Sequence, residues 1–291
     1  MINTTMQDKI CLITGGTNGI GKSTAQALAE MGAMVVIVGR NASKAAQVVE
    51  EIRTLTGSKN VAYLLADLSS QRDVRRLAEE FKSKYQYLHV LINNAGAANL
   101  QRQLSVDRIE MTFALNHLAP FLLTNLLLDT IKASSMARII NVSSDAHAFG
   151  KIEFDNLQGE RAYGFKTYGN SKLANILFTI ELAHRLVGTG VTVNALHPGL
   201  VATGFGKNTG GVIASLFGII APLVALSPAK GAETSIYLAS SASVDGITGK
   251  YFYKSRMIPP AAQATDFAVA RKLWDVSAEM VHLADGLPLL I

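Results

Sequence analysis

Six short runs constrain this chain most: Ile10–Thr14, Met34–Val38, Val61–Ala66, Leu88–Ile92, Arg138–Val142 and Val191–Ala195. Each is rich in Val, Ile and Leu and apolar on both faces, the pattern of a strand buried on both sides. Helical patterns near 20–31, 42–55, 70–84, 105–131 and 167–187 fall between them. Strands alternating with helices predict an α/β fold, a parallel sheet with helices on both faces. No internal repeat and no Pro/Ser/Gly-rich linker divides the 291 residues, so one domain over 1–291 is expected. With 49% hydrophobic and 17% charged residues, the chain is not a disordered tail.

Lys and Arg number 27 against 22 Asp and Glu, and they are dispersed. The densest charge run, Arg72 to Lys84, mixes both signs and reads as a solvated helix face. Nucleic acid is therefore not an expected partner, because tracking phosphates needs basic residues clustered on one surface. The single cysteine, Cys11, lies in an apolar run and excludes a disulfide framework and a Cys-rich zinc site. His117, His147 and His197 lack metal-ligand spacing, so no metal is expected and they are read as structural or supporting groups. Residues 1–8 are polar and carry no signal-peptide pattern.

After the first run comes Thr14-Gly15-Gly16-Thr17-Asn18-Gly19-Ile20-Gly21, opening a helix near Ile20. Glycines there allow a tight turn and a close approach to a pyrophosphate, whose charge the helix N-terminus stabilises. The same residues through Lys22-Ser23 also match the triphosphatase P-loop, with Asp67 as a candidate magnesium-holding acid. The loop alone does not decide between the two ligands. The second run is followed by Gly39-Arg40-Asn41. An acid there would bind a ribose 2′-hydroxyl, whereas an arginine accommodates a 2′-phosphate, so a dinucleotide at this site would be NADP(H) rather than NAD. The P-loop reading gives Arg40 no task.

Tyr168 and Lys172 stand four apart near the start of a predicted helix, on one face and about one turn from each other. A neighbouring ammonium is expected to lower the phenol pKa, letting it exchange a proton with a carbonyl or alcohol oxygen. Ser143 and Ser144 follow the fifth run, at a strand C-terminus where ligands bind in such sheets. Asn93-Asn94-Ala95-Gly96 follows the fourth, and Asn116 lies inside the long helix after it. The G-x-S-x-G elbow of a serine hydrolase is not present in the sequence.

Taken in order, the glycine run 14–21, Asn93-Asn94-Ala95-Gly96, Ser143-Ser144, Tyr168-x-x-x-Lys172 and His197-Pro198-Gly199 resemble the short-chain dehydrogenase/reductase family. The resemblance implies a Rossmann-type, doubly wound sheet of seven parallel strands in the order 3-2-1-4-5-6-7. It also implies a catalytic tetrad of Asn116, Ser144, Tyr168 and Lys172, Ser144 being the serine that such a pair aligns with. For the cofactor it implies Gly15, Thr17, Asn18, Gly19, Ile20 and Gly21 at the pyrophosphate. Arg40 and Asn41, with Lys22 or Asn18 assisting, would lie at the 2′-phosphate, and Asp67 and Leu68 beside the adenine. Asn93, Asn94, Ala95 and Gly96 would line the ribose wall. Tyr168 and Lys172 would reach the nicotinamide ribose, and Pro198, Gly199, Val201 and Thr203 the carboxamide.

Ser144 and Tyr168 are 24 positions apart, further than in many members of the family. The intervening Lys151–Gly159, Asn116-His117-Leu118, Ser171-Lys172-Leu173-Ala174-Asn175 and Ala270–Ser277 resemble the retinol dehydrogenase subgroup. That implies a lipophilic aldehyde, ketone or alcohol as substrate, retinal and retinol among them, with other carbonyl compounds as the alternative. An uncharged stretch, Gly210 to Leu226, is short of the roughly 20 residues that span a bilayer and contains Pro222. It reads as part of an apolar lid over about 200–228, with a C-terminal helical segment near 262–283. The expected enzyme is cytoplasmic, with peripheral membrane contact through the lid, and a homodimer or homotetramer. Two other classes stay open at this point: a P-loop NTPase, and a non-catalytic dinucleotide sensor.

Overall fold

The computed structural model describes residues 5–99, 101–200 and 226–283. Among the described residues eight strands form one sheet in the order β3-β2-β1-β4-β5-β6-β7-β8. In chain order the first five are β1 (Ile10–Thr14), β2 (Met34–Gly39), β3 (Val61–Leu65), β4 (Val90–Asn93) and β5 (Arg138–Val142). Then come β6 (Thr192–Leu196), β7 (Lys250–Tyr253) and β8 (Arg256–Ile258). The first seven pair in parallel, with Ile10 opposite Met34 and Arg138 opposite Thr192. The expected count of seven is therefore one short: β8 folds back antiparallel on β7, pairing Tyr253 with Arg256.

The helices are α1 (Gly19–Glu30), α2 (Ala42–Thr56), α3 (Gln71–Lys84), α4 (Met111–Phe113), α5 (Ala119–Leu126) and α6 (Leu128–Lys132), then α7 (Phe165–Arg185), α8 (Pro228–Ser240) and α9 (Phe267–Met280). The single helix expected over 105–131 is thus several pieces. Residues 105–109 form a turn closed by Ser105 N–H on the Ile109 carbonyl. A π-helical turn, Ala114–Leu118, then separates α4 from α5. Near 262–283 the chain forms a 3-10 turn, Ala262–Thr265, and then α9.

Alternate side chains of each strand enter opposite cores, which is why the runs are apolar throughout. Leu12, Val36, Val38, Leu91, Ile139 and Val193 meet α3, α5, α7 and α9 on one side. Cys11, Ile13, Val35, Ile37, Val90, Ile92 and Ile140 meet α1, α2 and α8 on the other. Burial pushes the Cys11 thiol up to about 12, so it stays protonated and unreactive. On the first side Trp274 packs against both Phe121 and Phe178, and the Arg185 guanidinium lies 4.3 Å above its ring. Glu181 neutralises that guanidinium at 2.7 Å.

Strand β1 pairs with β2 on one side and β4 on the other. The chain reverses its order across the sheet there, opening a crevice at the C-terminal strand ends. Most of the expected site residues lie along that edge.

Candidate active site

The glycine turn is tied to the fourth strand by the side chains of Thr14 and Asn94. Thr14 Oγ1 donates to the Ile92 carbonyl at 3.3 Å and accepts the N–H groups of Asn94 (2.9 Å) and Ala95 (3.0 Å). Asn94 Nδ2 returns a bond to the Thr14 carbonyl at 2.8 Å and reaches that of Gly15 at 3.3 Å. Gly15 takes φ +66°, where an L side chain is strained. A Cβ at Gly21 would collide with the Gly15 carbonyl oxygen and lie 2.6 Å from Asn94 Nδ2. Helix α1 can enter this close only without a side chain there.

Asn18 precedes α1 in extended conformation, and its side chain caps nothing. Gly19 and Ile20 form the first turn, which carries no acid. The free N–H groups and positive dipole end of α1 thus fit a phosphate group. Thr17 Cγ2 fills the space where a side chain at Gly39 would stand. Arg40 is exposed and makes no hydrogen bond or ion pair with the described residues, whereas Asn41 caps α2 by accepting the Lys44 N–H at 2.9 Å. Lys22 pairs with Glu51 of α2. Asp67 Oδ1 accepts from the Ser69 backbone (3.0 Å) and hydroxyl (2.7 Å), and Leu68 is buried.

Asn93, expected at the ribose wall, spends its amide in a buried network instead. It donates to Thr124 Oγ1 at 3.1 Å and to Asn141 Oδ1 at 2.8 Å, and Asn141 donates on to Thr179 Oγ1 at 2.9 Å.

Four other side chains converge beyond the C-terminal ends of β4 and β5. Ser143 and Ser144 take separate roles: Ser143 Oγ donates to the Lys172 carbonyl at 2.7 Å, while the Ser144 hydroxyl hydrogen-bonds the Tyr168 phenol. Lys172, 4% exposed, donates from Nζ to the Val142 carbonyl at 3.0 Å and lies 5.7 Å from the Tyr168 ring centroid. Asn116 sits mid-way along the π-helical turn, a feature frequent at functional sites. Its Oδ1 accepts the Ala97 N–H at 2.8 Å, and its Nδ2 donates to the Ala97 carbonyl at 2.9 Å and to Ser171 Oγ at 3.0 Å. Ser171 Oγ in turn donates to the Tyr168 carbonyl at 2.7 Å. A Cβ at Gly96 would come within 3.1 Å of Asn116 Oδ1 and 3.2 Å of Lys172 Nζ, so the bare glycine lets both groups close in.

The electrostatics correct one expectation. Burial pushes the Tyr168 phenol up to about 12, opposed by the Ser144 hydrogen bond, rather than Lys172 lowering it. Burial likewise brings the Lys172 ammonium down to about 8. Both shifts express the cost of holding charge away from water: burial disfavours the phenolate of Tyr168 and the ammonium of Lys172 alike.

The long segment between Ser144 and Tyr168 braces the π-helical turn. Glu110, wholly buried, caps α4 by accepting the N–H groups of Thr112 and Phe113, each at 2.7 Å. Tyr163 donates its hydroxyl to the same carboxylate at 2.6 Å, and Gln158 Oε1 accepts the Glu110 N–H at 2.7 Å. Thr14, Ser171, Glu110 and Tyr163 belong to this framework and were not anticipated. Only Thr14 carries a sequence signal, a hydroxyl at a strand end immediately before the glycines.

Pro198 and Gly199 follow β6, Gly199 at φ +82°, and the His197 ring before them stacks on Tyr253 at 4.0 Å. Val201, Thr203 and nearly all of the apolar stretch lie outside the described residues.

Comparison with known proteins identifies the family and the fold. The family model for short chain dehydrogenase matches residues 9–211. Human retinol dehydrogenase 14 is 42% identical over 294 residues, covering 96% of this chain and 88% of that protein. Mouse retinol dehydrogenase 12 is 41% identical, covering 97% and 89%. Among solved structures, an uncharacterized protein from Mycobacterium paratuberculosis superposes with a TM-score of 0.79 at 29% identity, covering 98% of this chain and 97% of that one. The Pseudomonas aeruginosa RhlG/NADP active-site complex gives 0.69 at 29% identity, covering 85% and 95%. The triphosphatase reading of the glycine turn is thereby set aside. The chain belongs to the short-chain dehydrogenase/reductase family, an oxidoreductase of its retinol dehydrogenase subgroup.

Proposed function

We propose that the protein uses NADP(H) to interconvert a lipophilic aldehyde or ketone and its alcohol, with a retinal/retinol-like substrate. The observation that carries this reading is the convergence of Ser144, Tyr168, Lys172 and Asn116 beside a glycine turn whose helix N-terminus is free. Bound there, NADPH would supply the hydride that reduces the carbonyl carbon.

The chain's own residues supply the rest. The Tyr168 phenol, raised to about 12, holds its proton at neutral pH and donates it to the carbonyl oxygen. The Ser144 hydroxyl holds the oxygen within reach. Lys172 stabilises the phenolate left behind, and Asn116, bonded to Ala97 and Ser171, fixes the floor of the cleft. Burial of this cluster strengthens each of these interactions.

Gly15, Thr17, Asn18, Gly19, Ile20 and Gly21 would hold the pyrophosphate, and Arg40 the 2′-phosphate. Asp67, Leu68, Ala95 and Gly96 would border the adenosine, with Asn94 holding the turn in shape. The NADP preference rests on Arg40, uncommitted and exposed, with no acid at 38–41. Replacing it by Asp is expected to move selectivity toward NADH, because a ribose-hydroxyl acceptor takes the place of a phosphate partner. The ratio of kcat/KM for NADPH and NADH measures this, and an unchanged ratio removes Arg40 from the reading.

The lipophilic substrate is supported by the named relatives and by apolar side chains about the cleft. Phe165 is exposed with its ring 5.9 Å from that of Tyr168, and Phe149 and Leu200 are exposed on the segments following Ser144 and Gly199. Among the described residues no helix is long and apolar enough to cross a membrane. Cytoplasmic residence with peripheral membrane contact, and a homodimer or homotetramer, are part of the same proposal.

The test is NADPH consumption with all-trans-retinal beside a long-chain aliphatic aldehyde. Retinal is expected to turn over; turnover of the aliphatic aldehyde alone keeps the chemistry and discards the retinoid. Reduction of neither overturns the lipophilic-carbonyl reading.

A further inference from the structure

We infer that His147 is a positioning residue: its neutral ring, protonated at Nδ1, grips the Ser144 carbonyl and fixes the turn that presents the Ser144 hydroxyl to Tyr168. The inference rests on the proposed role of Ser144.

Ser144 caps the 3-10 turn Asp145–Phe149, and His147 lies within that turn, 3% exposed. The two ring nitrogens face groups of opposite polarity. Nε2 lies 3.0 Å from the backbone nitrogen of Ala261, which has only a hydrogen to offer, so Nε2 must present its lone pair. In the neutral ring the proton then sits on Nδ1, where the Ser144 carbonyl waits at 2.8 Å. Burial favours this neutral ring. Protonation at Nε2 would set donor against donor at Ala261.

The ring's surroundings remove its freedom to turn. Tyr251 packs edge-on against it at 4.9 Å, with its hydroxyl 3.4 Å from Nδ1, and Asp145 and His197 are the other titratable groups nearby. Gln263 Nε2 donates to the Ala148 carbonyl at 2.9 Å, binding the far end of the turn to the same C-terminal segment. Ser144 therefore stands between two anchors. Ser143 fastens the chain before it to α7 through the Lys172 carbonyl, and His147 fastens the turn after it to Ala261. A hydroxyl that must meet both a phenol and a substrate oxygen tolerates little drift, since small misplacements cost large factors in rate.

Two substitutions separate the ring's bonds. The amide of His147→Asn sits where Nδ1 does and can donate to the Ser144 carbonyl, but it does not reach Ala261. The amide of His147→Gln reaches the Nε2 position and can accept from Ala261, but leaves the Ser144 carbonyl. With the full chain, NADPH and a reducible aldehyde, H147Q is expected to lower kcat about tenfold or more while KM and NADPH affinity stay within about twofold. H147N is expected to recover most of that kcat with a similar Tm. In a Ser144→Ala background, adding H147Q is expected to cost nothing further, because the group it positions is gone.

Equal kcat in H147Q and the parent, or a loss of the same size in the S144A background, overturns the inference. Wild-type turnover by S144A instead overturns the reading of the site, and this inference with it. Should H147Q not fold, 15N NMR of the histidine-labelled parent protein reads the tautomer directly. The expected result is a pyrrole-like Nδ1 and a pyridine-like Nε2 at His147; the reverse tautomer is the overturning result.

Discussion

Tyr168→Phe is expected to lower kcat by about 10²–10⁴-fold, the usual contribution of a positioned acid. NADPH affinity is expected to stay within about twofold, since the phenyl ring still fills the same space. The hydroxyl, raised to about 12, still holds its proton at neutral pH and faces the cleft beside Ser144, whereas the Lys172 ammonium is directed at the Val142 carbonyl. Removing the hydroxyl also leaves the Ser144 hydroxyl without the phenol oxygen it bonds. Stopped-flow turnover beside a fluorescence titration of NADPH separates the two effects. Undiminished turnover eliminates Tyr168 as the acid, and lost NADPH binding turns it into a binding residue.

Gly21→Ala acts at the opposite step. The added methyl meets the Gly15 carbonyl oxygen and Asn94 Nδ2, and Asn94 has no slack, because its amide already bridges Thr14 and Gly15. Either the turn opens or α1 backs away, and each outcome would pull backbone N–H groups off the pyrophosphate proposed to bind there. Losing two charge-assisted bonds of about 1.5 kcal/mol each weakens NADPH binding by about a hundredfold. Overpacking of this kind also costs about 1–3 kcal/mol of stability. Calorimetric titration with a parallel urea melt distinguishes the effects. Parent-like affinity in a folded G21A protein removes the pyrophosphate from this turn.

The sheet was readable because its strands are buried on both faces: β1 and β5 begin and end where the apolar runs do. The fourth run starts later than expected, since Leu88 is apolar and buried but gives its N–H to Ser134 Oγ and the Thr130 carbonyl. The β7–β8 hairpin left no signal. Its turn places Lys254 and Ser255 at φ +48° and +57°, where glycine or asparagine is the usual marker. In the site, Tyr168 and Lys172 were legible from helical spacing, whereas the choice between Ser143 and Ser144 was not. Both follow the same strand, and only the packing of α7 turns one toward a backbone carbonyl. The direction of the Tyr168 shift was illegible too, because spacing shows that a lysine is near but not how dry the pair is.

The π-helical turn at Ala114–Leu118 also separates the fate of the site from that of the core beside it. Relative to a regular helix it holds one extra residue, and the wider turn absorbs that residue locally, so the helix beyond it keeps its face. Phe121, Leu122 and Leu123 stay fully buried while Asn116 bulges toward Ala97 and Ser171. Deleting one residue of the turn would straighten the helix and withdraw the asparagine while α5 keeps its packing, so the chemistry can be lost at this point without the fold.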